Sequence, residues 1–231
     1  MEKNRKDILC LIYVPFAMFF VAWAGHITVS EFYRGAPFLA AMTYQTYFFF
    51  LFFARTLYTF GDFERYFHGY GVALLLRHKK KQRLFLAGVG QLLKKVLVFQ
   101  VWALLCACLF SWLVLGNCEI FAWEFWRNVG LYCLADFAMA LFQMLLETIW
   151  DGRIGILGAG LYGMLAILLS DRLYFLPDGK RWMWLFLSDL GNAEKMEECG
   201  YSAWMVLLIL GLAICILMAL GGAAIRRKDI L

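Results

Sequence analysis

Six stretches of this chain are long and apolar enough to be read as membrane-spanning helices: 8–30, 39–60, 96–116, 128–149, 154–170 and 203–225. A hydrocarbon core about 30 Å thick asks for roughly 17–25 apolar residues per helix. Backbone polar groups inside it must be satisfied within the segment, which favours helices over loops. The pattern predicts an all-α polytopic membrane protein, with 1–231 forming a single transmembrane domain. Composition agrees, because 63% of the residues are hydrophobic, against about 45–50% in ordinary globular domains. The first apolar run is too long for a cleaved signal peptide and lacks a small-residue processing site, so it is expected to be retained.

Lysine and arginine set the orientation. Of 22 such residues, fifteen fall in the N-terminal segment, in 61–95, at Arg153 or in the C-terminal segment. Six fall on the opposite side, and Arg55 lies inside the second span. The positive-inside rule then puts both termini in the cytoplasm. The net charge of +5 is read as orientation and lipid contact; with no soluble basic face to host it, nucleic acid is not an expected partner.

Two connections are unusually long. Segment 61–95 contains LLLRHKKKQR (74–83), the densest positive run in the chain. Apolar residues recur at helical spacing on both sides of it: Phe63, Phe67, Tyr70 and Leu74 before, Phe85, Val89, Leu92 and Val96 after. This predicts two amphipathic helices at the inner surface, joined at HKKKQR. An interfacial pair resting on anionic lipid and a docking element for a cytosolic partner both fit. On the outer side, 171–202 holds two aromatic-rich pieces, 173–176 and 182–187, around a Pro177-Asp178-Gly179 turn. Neither piece can span, and both suit short interfacial or re-entrant helices.

Motifs for catalysis are missing. GAGLYG (158–163) matches a dinucleotide fingerprint, but it sits inside an apolar span with no strand before it. Gly155, Ala159 and Gly163 instead share one helix face and permit close helix packing. The sequence contains no G-x-x-x-x-G-K-[ST], no H-E-x-x-H and no G-x-S-x-G. No enzyme, cofactor or metal site is expected in this chain. Most of the seven cysteines lie in apolar runs; Cys118 and Cys199 lie in expected outer loops, where a disulfide between them stays open.

Polar residues within spans carry more information. Asp136, Gln143 and Glu147 form a stripe down one face of the fourth span, and a charge there costs roughly 2.5–3.5 kcal/mol on insertion scales. The stripe implies interhelical pairing or a polar translocation path. Arg55 sits near the inner end of its span, where snorkelling or a pair with Glu147 both account for it.

The layout resembles the small six-span permease subunits of type-two ABC exporters, especially those of bacterial peptide and antibiotic export or immunity systems. The carriers of the likeness are the six spans, YGVALLLRHKKKQRLF (70–85), the Pro-containing outer segment FLPDGKRWMW (175–184) and the ending RRKDIL (226–231). The resemblance implies an amphipathic coupling helix after the second span, resting on a cytosolic ABC ATPase present in two copies. Asp62, Glu64, Arg65, Tyr70, Arg77, Lys79, Lys80, Lys81 and Arg83 would form that contact. ATP and Mg would belong to the ATPase, and a second permease subunit, identical or different, would complete the pathway in a bacterial plasma membrane. Three consecutive lysines depart from the family pattern, in which a smaller residue often separates the basic ones. Two other readings stay open: a non-transporting scaffold or immunity protein, and an ion-coupled carrier using Asp136.

Overall fold

The computed structural model describes residues 2–40, 42–61 and 81–227. Among them every regular element is helical: α1 (Glu2–Gly25), α2 (Val29–Arg34), α3 (Met42–Thr59), α4 (Lys81–Leu115), α5 (Trp123–Ile149), α6 (Gly152–Tyr174), α7 (Ala193–Glu198) and α8 (Ala203–Arg227). Two short 3-10 helices, Gly179–Leu185 and Asp189–Gly191, precede α7. Five helices, α1, α4, α5, α6 and α8, are long and apolar enough to cross a membrane. Helix α3 falls short of that because Gln45, Arg55 and four threonines interrupt its apolar run.

Several boundaries differ from those read in the sequence. The first apolar run does not continue to residue 30. His26 takes a left-handed backbone (φ +50°), and Thr28 starts α2 with a reciprocal capping box to Glu31. Helix α6 runs past residue 170, so Asp171 and Arg172 belong to its last turn rather than to a loop. The largest difference is α4. Residues 85–96 are not a separate interfacial helix but the first half of one unbroken 35-residue helix. Nothing between Lys81 and Leu115 stops it, since the chain's three prolines are at 15, 37 and 177. The amphipathic set Phe85, Val89, Leu92 and Val96 is buried, as a continuation of the same helix.

Helix α5 is the centre of the bundle. Two-thirds of its apolar window is buried, against 17% for α8, and it packs on α4, α6 and α8. One apolar cluster joins α1, α2, α3 and the C-terminal half of α4. A second joins the first half of α4 to α5 and α8. A third seats a cap, made of the 3-10 helices and α7, on α5, α6 and α8. Outward-facing side chains such as Leu157, Leu161, Trp204, Leu208 and Leu212 are each more than half exposed. Such a continuous apolar exterior suits hydrocarbon better than water.

Polar contacts gather at the two ends. At one end Lys6 Nζ donates to the Phe60 carbonyl (2.7 Å), and Lys95 Nζ donates to Asp7 Oδ2 (3.1 Å) and to the Tyr58 carbonyl (3.3 Å). At the other, Arg34 pairs with Glu194 (2.7 Å) and Arg127 with Glu197 (2.9 Å), while Asn192 Nδ2 donates to the Ala36 carbonyl (2.7 Å). Gly35 permits that last docking: its φ is +100°, and a Cβ there would overlap the Asn192 side chain.

The stripe Gly155, Ala159, Gly163 is buried along α6. Gly155 lies against Glu147 and the Gln143 carbonyl of α5, and Gly163 against the Phe52 ring of α3. A Gly163→Leu variant must push that ring aside. It is expected to lose about 1–3 kcal/mol, read as a lower midpoint in thermal unfolding of the purified chain, whereas Gly130→Leu, at a site with open space beside it, should leave the midpoint nearly unchanged.

Candidate functional site: a buried ionic core and an adjoining chamber

The polar residues of α3 and α5 meet in the middle of the bundle. Arg55 is fully buried, and its Nε donates to Asp136 Oδ1 at 2.7 Å. The other Asp136 oxygen accepts from Gln100 Nε2 of α4, also at 2.7 Å. Thus one carboxylate joins three helices. Arg55 stacks its guanidinium over the Phe52 ring, one turn back on its own helix (4.8 Å to the centroid).

Gln143, two turns from Asp136, satisfies both ends of its amide. Its Oε1 accepts from Arg55 Nη1 (3.3 Å) and Thr59 Oγ1 (3.1 Å). Its Nε2 donates to the Thr56 carbonyl (3.1 Å) and to Glu147 Oε1 (3.0 Å). Glu147 Oε1 in turn accepts from the Gly61 backbone N–H (3.3 Å) just beyond α3. The stripe on α5 therefore grips α3 along its C-terminal half. Arg55 pairs with Asp136, not with Glu147 and not by snorkelling; Gln143 lies between it and Glu147. Gln100 and Thr59 complete the network although the sequence reading passed over them. The signal for Gln100 was present: it is the one strongly polar residue in the apolar run that follows Lys95.

Beside this core lies a chamber of about 80 Å³. Asp136, Phe52 and Tyr132 border its floor, and Asp189, Asn192 and Lys195 of the cap border its roof. Lys195 had been counted as one more outer-loop cation, yet it is buried. It donates to Asp171 Oδ1 (3.0 Å) and Ser170 Oγ (2.9 Å) of α6, and Phe38 lies over it. Gln45 of α3 donates to the second oxygen of Asp171 (2.7 Å). The cap is thereby tied to α6 and α3 by buried charge.

The residues expected to meet an ATPase divide into two groups. Asp62, Glu64, Arg65, Tyr70, Arg77, Lys79 and Lys80 lie outside the described residues. Lys81 and Arg83 open α4, with Arg83 exposed. All seven cysteines are free thiols. Cys118 packs with the α1–α4 cluster and Cys199 with the cap, so they do not form the disulfide that the sequence left open. Among the described residues no group of His, Cys, Asp and Glu could hold a metal ion.

The fold and site define an all-helical bundle with five helices suited to crossing a membrane, closed around a buried ionic core. The chain belongs to the family described as "Protein of unknown function (DUF2705)", whose model matches residues 6–231. No curated protein and no solved structure matches it.

Removing one member of the core pair leaves the other's charge inside the bundle without its partner. Asp136→Ala is expected to cost about 3–5 kcal/mol, whereas Arg55→Met with Asp136→Leu should recover most of that loss. Thermal unfolding of the two variants beside the wild type checks the contrast.

Proposed function

We propose that this chain is the permease subunit of an ABC-type exporter, crossing the bilayer six times and driven by a separate ATPase. Helix α4 carries the reading. Its 35 residues extend ~52 Å at 1.5 Å per residue, while the hydrocarbon core is about 30 Å thick. Lys95 lies level with the first turns of α1 and the last turn of α3. The preceding stretch from Lys81 continues the same helix about 20 Å further, with Leu84, Phe85, Val89 and Leu92 packed with α5 and α8. Lys81 and Arg83 stand at the head of this helix, where a cytosolic protein would meet them.

Helix α3 serves as the sixth span in this reading. Its charge faces the protein interior, where a buried partner meets it. Its two ends join the same two polar ends as its neighbours. The chamber of about 80 Å³ is far too small for a peptide, which supports a translocation path completed by a second permease subunit. Cargo of the amphipathic peptide or antibiotic class suits the family resemblance, as does a bacterial plasma membrane. Both termini and the basic segment would face the cytoplasm, with ATP and Mg held by the ATPase.

A non-transporting scaffold is the second reading, favoured by the ionic core, in which Asp136 and Gln143 are bonded on both sides. Affinity purification from native membranes separates the two. Recovery of an ATPase with a P-loop, reduced several-fold by joint Arg77→Glu and Arg83→Glu reversal, is the outcome expected for a permease. A chain recovered alone under conditions that preserve membrane complexes speaks for the scaffold.

A further inference from the structure

Beneath the outer cap, one ammonium serves two carboxylates. Lys195 spends hydrogen bonds on Asp171 and Ser170, and Asp189 Oδ2 stands 3.7 Å away, an ion-pair contact without a hydrogen bond. Asp189 is only 6% exposed, and that oxygen has no hydrogen-bond partner in the protein. Neither does the neighbouring Ser188 Oγ. Both residues border the chamber, as does Asp136 across it. The chamber is mostly apolar but has room for a few waters beside these polar groups, and a buried carboxylate oxygen with no donor is costly to keep ionised.

We propose that Asp189 is a proton-binding site, roofed by the outer cap and supplied through water in the chamber it shares with Asp136. The groups that face it leave little alternative for neutralising its charge. From α6 come Asp171, an anion, with Ser170 and the Tyr162 hydroxyl, which accepts from the Leu187 N–H. From α7 comes Lys195, already engaged. From α3 comes Gln45, which donates to Asp171. From α5 comes Asp136, whose oxygens are taken by Arg55 and Gln100. Beyond α7 the Cys199 thiol is neutral, pushed up to about 11 chiefly by burial. Two carboxylates against one cation leave a single negative charge, and a proton removes it. It also turns the unpartnered Asp189 Oδ2 into a donor facing the chamber and Ser188.

Burial raises the Asp189 carboxyl above its ordinary range; Lys195 and a hydrogen bond from Ser170 oppose that, and Asp171 adds to it. The folded chain then binds this proton more tightly than the unfolded chain does. Its stability accordingly falls as pH rises from the ordinary aspartate range through the raised value. Loss of the proton places two anions on one lysine at the joint between cap and α6, which weakens the cap's hold. This site stands whether or not an ATPase binds the chain.

Infrared spectroscopy of the full-length chain in lipid nanodiscs tests it. The wild type should show a protonated-carboxyl C=O band above the ordinary aspartate pH range, lost on further alkalinisation. The component assigned to Asp189 should be missing from Asp189→Asn. It should also be missing from Asp171→Asn at the same pH, where Lys195 is left to Asp189 alone. The wild-type titration needs no variant to fold, and either variant alone is sufficient to make the assignment. A wild type without such a band above the ordinary aspartate range, or a band that survives either substitution undiminished, overturns the proposal.

Discussion

A guanidinium in the middle of an apolar bundle must be neutralised where it stands, and Arg55 meets that demand with Asp136. The pair fixes how α3 lies against α5, because a shift of one residue on either helix would turn one partner away from the other. Gln100 brings α4 to the same carboxylate, and Gln143 and Glu147 extend the grip to the end of α3. Buried ion pairs contribute little net stability compared with well-packed apolar side chains. What this one supplies is register for α3, beyond what its apolar contacts with α1 and α4 provide.

From that register follows the rest of the core's geometry. With α3 held against α5, Gly163 of α6 can close on Phe52, and Gly155 can close on the turn that carries Gln143 and Glu147. The three helices then leave the chamber between the ionic core and the cap. Its two polar boundaries are of different kinds. At the floor each Asp136 oxygen has its own donor; at the roof Asp171 and Asp189 share Lys195.

Much of this was legible in the sequence, for a physical reason: apolar run lengths and the polar stripe on the fourth span are both local patterns. The runs located six long helices, and the spacing of Asp136, Gln143 and Glu147 placed them on one face of α5. The partner of Arg55 was not local. Depth along the span pointed to Glu147, but Gln143 fills the space between them, so Asp136 is the carboxylate within reach. The boundary at residue 96 also misled, since hydropathy changes there while nothing in the backbone breaks; α4 continues straight through from Lys81. Lys195 had the composition of a loop cation, and only the cap folding onto α6 buries it. Residues 62–80, where the resemblance places the coupling contact, lie outside the described residues, so that contact rests on the sequence pattern.

The account as a whole requires the end bearing Lys6, Lys95 and the basic segment to face the cytoplasm, with the cap outside. Because all seven native cysteines are free, a cysteine-less chain can carry single reporters at Lys79 and at Glu194. Membrane-impermeant maleimide applied to intact cells should label residue 194 and reach residue 79 only after the membrane is opened. Labelling of residue 79 from outside the intact cell would contradict the account at its root.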